Sequence, residues 1–184
     1  MMCTDNMPSG SALKLGDVIT IRNGSTVEIH NTDAEGRLIL ADGLSLATEA
    51  KPDVIVDIAT LTGSAANALG PAYAAVLGND QTVIDTLRDC GDIADEPLWQ
   101  LPLSADRYRT LLNSDVADIK NIGTPQGGAI SAAIFLSTFV GDTPWAHIDI
   151  AGPMSVDAPN GWLTKGATAF GARLLVDFAT GFTK

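Results

Sequence analysis

The chain has 184 residues, 46% apolar but only 5% aromatic, and its 22 acidic against 11 basic side chains give a net charge of −11. This length suits one domain whose core is built from Ala, Val, Ile and Leu, the usual make-up of layered α/β proteins, and it excludes disorder over most of the chain. The acidic balance argues against nucleic acid or an anionic membrane as partner, since both need clustered Lys and Arg, and is compatible with binding cations.

Cys3 and Cys90 lie far apart and outside any CxxC pair, so neither a disulfide framework nor a thiolate zinc site is indicated. They read as thiols of a reducing compartment. The opening "MMCTDNMPSG" lacks the basic start and apolar run of a secretory signal, and no segment approaches the ~18 apolar residues of a membrane span. The expectation is therefore a cytoplasmic protein, in which the glycosylation triplet Asn23-Gly24-Ser25 carries no weight.

Two short apolar runs, Val18 to Ile21 and Thr26 to His30, flank Asn23-Gly24 and predict a β-hairpin. Glu35 to Ala50 reads as a helix with a broad apolar face, stopped by Lys51-Pro52. The β-branched run Asp53 to Ala59 is the pattern of a strand buried on both faces. A small-residue helix follows in "TGSAANALG", then a buried strand in Ala72 to Gly78. Asp80 to Cys90 reads as a helix capped by Asn79 or Asp80 and stopped by Gly91. "EPLWQLPL" is expected to be a proline-broken connection, and "SADRYRTLL" a short helix opened by a capping serine. "SDVADIKNIG" fits a strand or an extended loop. Gly127 to Val140 is the most apolar helix, Trp145 to Ala151 an alternating strand, and Ala167 to Ala179 the last helix. This alternation predicts an α/β fold with a layered, largely parallel or mixed sheet covered by helices on both faces.

Ligands of open α/β sheets sit beyond the carboxyl ends of the strands, and three such ends are chemically unusual. One runs into Asn31-Thr32-Asp33-Ala34-Glu35-Gly36-Arg37. The second ends in Asp57-Ile58-Ala59-Thr60-Leu61-Thr62-Gly63, the third in Asp149-Ile150-Ala151-Gly152-Pro153-Met154. The first admits two readings. Thr32 and Glu35 have the spacing of a capping box, and acids in a first turn suit the helix dipole. Alternatively, Asp33 and Glu35 are hard oxygen ligands for divalent cations, with Arg37 placed to hold an anion or an oxyanion.

The longer stretch "NTDAEGRLILADGLSLA" resembles the signature of the cytosolic leucine aminopeptidase family, the dinuclear metallo-exopeptidases. "DNMPSGSALKLGDV" resembles the segment before that signature, "VDIATLTG" the next strand end, "ADIKNIG" with "GGAISAAIFLSTFV" the later helix region, and "WAHIDIAGPM" the last strand. The resemblance runs almost end to end and favours metal ligation, with capping as an accompaniment. It implies removal of leucine-like, apolar N-terminal residues from peptides by two divalent ions, zinc, manganese or magnesium. Asp33 and Glu35 match metal-binding carboxylates, Glu35 the one shared by both ions. Arg37 matches the arginine that holds a bicarbonate ion proposed as general base. The backbone at Thr60, Leu61 and Gly63 matches groups that bind the substrate main chain, and Ala151 and Met154 match the lining of the pocket for the N-terminal side chain. Two ions lower the pKa of a bridging water and polarise the scissile carbonyl; a Met-lined pocket suits an apolar side chain. Homo-oligomers, hexamers in the family, are implied as well.

The sequence also departs from that pattern. The family's remaining ligands, two lysines and two aspartates in Gly-Lys-Gly and Asp-Ser-Gly-Gly contexts, come from a segment upstream of the Asn-Met-Pro-Ser-Gly loop. The lysines here, Lys14, Lys51, Lys120, Lys165 and Lys184, stand in other contexts. Residues 1–184 are accordingly expected to be the C-terminal portion of such a catalytic domain, without its upstream part and N-terminal domain, and with only part of the site. The alternative is a non-catalytic remnant that keeps the fold and oligomer contacts. The sheet is expected to leave an unpaired apolar edge.

Among the other candidates, His147 alternates with apolar neighbours and reads as structural, whereas His30 is left a supporting role near the signature. Asp57 and Asp149 are either site-orienting groups or loop anchors. Asp115 and Asp118 read as solvated or capping. Ser9, Ser64 and Ser131 have no His partner or Gly-x-Ser-x-Gly elbow, and no nucleotide-binding glycine loop occurs.

Overall fold

A computed structural model describes residues 1–2 and 8–182. Cys3 and the Asp5-Asn6-Met7 part of the quoted loop lie outside them, as does Lys184.

The first hairpin forms where Asn23-Gly24 predicts it. β1 (Val18–Thr20) and β2 (Thr26–Glu28) pair antiparallel. α1 (Glu35–Glu49) follows and ends where Lys51, at φ 50°, turns left-handed before Pro52. β3 (Ile55–Ala59), α2 (Gly63–Leu69) and β4 (Ala74–Gly78) then alternate as expected.

The next helix, α3 (Gln81–Ala94), overruns its expected stop. Gly91 does not end it but lies inside, buried where a Cβ would meet the Glu96 carbonyl oxygen at 2.7 Å. The residue that ends the helix is Asp95, at φ 56°. The cap at the other end is Asp80, whose carboxylate accepts the Val83 N–H at 3.0 Å. "EPLWQLPL" is not a mere connection: β5 (Leu98–Gln100) pairs parallel to β4 at the edge of the sheet. Pro97 and Pro102 flank it, outside the ladder positions that need an N–H.

α4 (Ala105–Tyr108) runs into a 3₁₀ turn, Arg109–Leu112, and Ser104 caps it through its main chain, not its hydroxyl. β6 (Ile119–Lys120) is a two-residue strand parallel to β2. α5 (Gly128–Ser137) and β7 (Trp145–Asp149) follow. The last helix starts later than its sequence suggests: β8 (Ser155–Val156) pairs with β9 (Gly166–Ala167), and α6 (Ala172–Gly181) begins only after Gly171. Glu96 serves as its cap from a distance, accepting the Leu174 N–H at 2.9 Å.

The main sheet is mixed, in the order β3-β7-β4-β5. β3 and β7 run parallel, with Asp57 opposite His147 and Ala59 opposite Asp149, whereas β4 runs antiparallel to β7. Its two faces build two cores. On one, Ile55, Leu77 and Trp145 pack with Leu38 and Leu44 of α1 and Ala133 and Ile134 of α5. On the other, Val76, Ala146 and Ile148 pack with Ile84 and Leu87 of α3 and Leu174 and Phe178 of α6. The expected three-layer α/β arrangement is therefore present. β1, β2 and β6 form a separate small sheet on the α1/α5 side, with Val27, Ile29 and Ile119 in the first core. β3 and β5 are the outer strands of the main sheet. No helix among the described residues is long and apolar enough to cross a membrane.

Candidate active site

Because β3 and β7 are parallel neighbours, their carboxyl ends come out side by side. The end that runs into Asn31–Arg37 arrives from the small sheet instead. A cavity of about 180 Å³ lies where they converge, lined by Asn31, Asp33, Ala34 and Arg37, by Leu61, Thr62 and Gly63, and by the segment from Ile122 to Ser131.

The signature stretch does not form a capping box. α1 begins at Glu35 with Ala34 as its cap residue, and no side chain caps it. Thr32 lies too far ahead of the first turn to do so. Asn31 folds the turn by accepting the Asp33 N–H at 2.8 Å, an Asx turn that presents Asp33 and Glu35 without engaging them in capping.

A residue that the motifs did not single out fixes this turn. Asn121, fully buried just past β6, accepts the His30 and Asn31 N–H groups at 2.8 and 3.2 Å and donates to the Asn31 carbonyl at 2.6 Å. Its own carbonyl accepts the Arg37 Nη1–H at 2.9 Å. The available signal was a lone Asn at the end of "DIKN", a polar residue where an apolar strand stops.

Arg37 is buried, and burial pulls its pKa down to about 10 although the Asp149 carboxylate works to raise it. The guanidinium therefore remains a cation at neutral pH. Its Nε and the Oε2 of Glu35 are both buried without a hydrogen-bond partner among the described residues. A buried carboxylate oxygen and a buried donor left unsatisfied are costly unless a ligand completes them. Glu35 and the exposed Asp33 offer the hard oxygen donors that a divalent cation takes. No group of three or more His, Cys, Asp or Glu side chains suited to a metal occurs among the described residues. The residues present fit such an ion as two of its ligands.

Asp149, also buried, ties two strand ends together. Its Oδ1 accepts the Leu61, Thr62 and Ala151 N–H groups at 3.0, 3.3 and 3.2 Å, and its Oδ2 accepts the Thr62 hydroxyl at 2.7 Å. The Thr62 oxygen in turn accepts the Ala65 N–H at 3.0 Å and so caps α2. Thr60, Ala151 and Met154 do not line the cavity; Ala151 reaches it through Asp149, and Met154 is 44% exposed on the turn beyond.

Next along the same face of β7, His147 is 1% exposed and its Nδ1 lies 2.6 Å from Asp57 Oδ1, while Trp145 Nε1 donates to Asp57 Oδ2 at 2.7 Å. The structural reading of His147 thus holds on one side of the ring; its Nε2 is buried and unpartnered. Asp57 anchors the strands to each other, not the loop. His30 pairs with Glu28 at 2.9 Å. Asp118 is exposed, as expected, and its carboxylate also accepts the Thr26 N–H and hydroxyl at 2.8 and 2.7 Å, joining β2 to the start of β6; these bonds hold it below the usual aspartate range.

A larger cavity, about 390 Å³, lies near Trp162 and Phe170. Two of its charged groups satisfy each other: Arg173 pairs with Glu96 at 3.2 Å and stacks 4.2 Å over Trp162.

Comparison with known proteins places the chain in a family. Residues 1–176 match the model of the cytosol aminopeptidase family, catalytic domain. The chain is 53% identical over 175 residues to a "Probable cytosol aminopeptidase" of Geobacter sp. (strain M21), covering 95% of this chain and 35% of that protein. It is 52% identical over 182 residues to the one of Chlorobaculum tepidum, covering 98% and 36%. The chain thus spans about a third of the length of the curated relatives it matches. By both measures, it belongs to the cytosol aminopeptidase family.

Proposed function

We propose that this chain carries the C-terminal part of the catalytic domain of a metal-dependent aminopeptidase, and with it part of the active site. The observation that carries the reading is the convergence of Asp33 and Arg37 with the Leu61–Gly63 backbone at one small cavity, together with the buried, unsatisfied Oε2 of Glu35 in the same signature stretch. Asp33 and Glu35 would hold divalent ions, zinc, manganese or magnesium. When bound, such ions supply Lewis acidity toward a peptide carbonyl and a water of lowered pKa.

The chain's own groups account for the rest. Arg37, buried and cationic, holds an anion, for which bicarbonate is the proposed species. The main chain of Thr60, Leu61 and Gly63 orients the substrate backbone, and Ala151 and Met154 border the apolar side chain of its N-terminal residue. A cytoplasmic setting and a homo-oligomer, a hexamer by resemblance, complete the proposal.

The test is hydrolysis of a chromogenic leucine amide by the purified chain with added Mn²⁺ or Zn²⁺, and again with chelator. Turnover that chelator and Glu35→Ala both abolish supports the reading. A folded chain without turnover, alone and when co-expressed with the remaining two-thirds of a relative, favours a non-catalytic remnant instead.

A further inference from the structure

We infer that Asp149 is the positioning residue that sets the substrate-binding backbone of the Thr60–Gly63 segment and locks it to the turn at Ala151. The inference rests on the aminopeptidase reading above for what the backbone binds, but not for how the backbone is held.

The geometry is specific. A single buried carboxylate takes four donors from two segments: the N–H groups of Leu61, Thr62 and Ala151 and the Thr62 hydroxyl. Hydrogen bonds to an ionised acceptor are about twice as strong as neutral ones, and several of them fix a loop more tightly than packing alone. The peptide bonds here are trans, so an N–H turned toward Asp149 turns the carbonyl of the same peptide the other way. The carbonyls of Thr60 and Leu61 therefore face away from Asp149. The N–H of Leu61 is consumed internally, which leaves its carbonyl as the group available to a substrate. Glycine at 152 keeps the second segment close: a Cβ there would collide with the Gly70 carbonyl oxygen.

Asp149 is not itself isolated. It stands two residues from His147 on the same face of β7, and the register places Asp57 opposite His147. The Asp57–His147 pair therefore lies behind the clamp, and the Arg37 guanidinium is close enough to feel the Asp149 charge. One carboxylate thus compensates the buried cation and shapes the loop beside it.

The test uses the full chain and two substitutions, Asp149→Leu, which removes every acceptor at similar size, and Asp149→Asn, which keeps one uncharged acceptor. Amide hydrogen exchange is read residue by residue by NMR, and L-leucinamide is titrated against each protein. Exchange at Leu61, Thr62 and Ala151 is expected to rise about tenfold or more in Asp149→Leu and by less in Asp149→Asn, with β4 amides unchanged. Unchanged exchange at those three amides overturns the inference. Should Asp149→Leu not fold, Asp149→Asn decides: a rise confined to the three amides supports the inference, and a uniform rise or none overturns it. Leucinamide that binds the native chain severalfold more tightly than Asp149→Asn supports substrate positioning, and equal binding overturns it. A native chain that shows no leucinamide binding counts against the aminopeptidase reading of the loop, while the exchange pattern still decides what Asp149 holds.

Discussion

Asn121 and His147 show how a buried polar side chain is tied to its surroundings, one completely and one by half. The side chain of Asn121 meets the N–H groups of His30 and Asn31 and the Asn31 carbonyl. Asn121→Ala would leave three main-chain groups unpaired at a buried point, at a cost of about 2–4 kcal/mol in urea unfolding. It should also release the turn that presents Asp33, so metal binding should fall with stability. His147 makes a different prediction. Burial alone would lower its pKa, but the charge and hydrogen bond of Asp57, with Asp149 adding, outweigh burial and raise it. A raised folded pKa means that the protonated ring stabilises the fold. That contribution is complete below the unfolded value near 6.5 and is lost as pH rises through the higher folded value. The stability difference between the native chain and His147→Phe should therefore shrink as pH rises above the unfolded value near 6.5, as measured by denaturant midpoints. A gap that stays constant or widens would mean that Asp57 does not hold the proton on the ring.

At the scale of elements, the strand end that carries Ala151 depends on an approach that only glycine permits. Gly152 packs against the main chain of Gly70, so Gly152→Ala forces backbone against backbone with no flexible side chain to yield. Destabilisation of about 1–3 kcal/mol is expected by thermal unfolding, with faster exchange at Ala151 than at α3 amides. Such contacts explain which parts of the fold were legible in the sequence. Local patterns were: Asn23-Gly24 marked the hairpin, Lys51-Pro52 the end of α1, and alternating or β-branched runs marked β3, β4 and β7. What escaped was set by partners distant in the chain. β5 is a strand because β4 offers it an edge, a fact that the two flanking prolines conceal. α3 passes Gly91 because Glu96 needs the room, and α6 begins at Ala172 with Glu96 as its remote cap. The capping box failed for a related reason: the Asn31 turn, fixed from Asn121, starts the helix three residues beyond Thr32. At the site, Asp33, Glu35 and Arg37 were readable as a cluster of charged side chains with a family resemblance, while Asn121 and the clamp formed by Asp149 required the third dimension.

For the whole molecule, the acidic composition and the two-faced sheet lead to one expectation about metal. All the buried charge described at the site lies on the α1/α5 side, where Arg37, His147 and Asp149 interact, whereas the α3/α6 side is an apolar core with Glu96 buried at the start of α6. A divalent ion entering this chain meets Asp33 and Glu35 but no third His, Cys, Asp or Glu grouped with them among the described residues. Ions of this kind favour six or so oxygen ligands, and sites with few charged ligands bind only at about 10⁻⁴–10⁻³ M. The chain alone should accordingly bind Mn²⁺ weakly, in that range, by isothermal titration calorimetry. Glu35→Gln should abolish the heat, since it removes the carboxylate whose second oxygen is buried and unsatisfied. The general acidity of the surface must be separated from the site, and Asp106→Asn on exposed α4 supplies that control: it lowers the net charge equally and should leave the heat unchanged. Equal loss from both substitutions would mean that the ion follows the overall field of a chain with net charge −11, and that the signature stretch has no special claim on it. Binding a thousandfold tighter than this range would require further ligands, and would move the search for them to the residues around the cavity between Asn31 and Ser131.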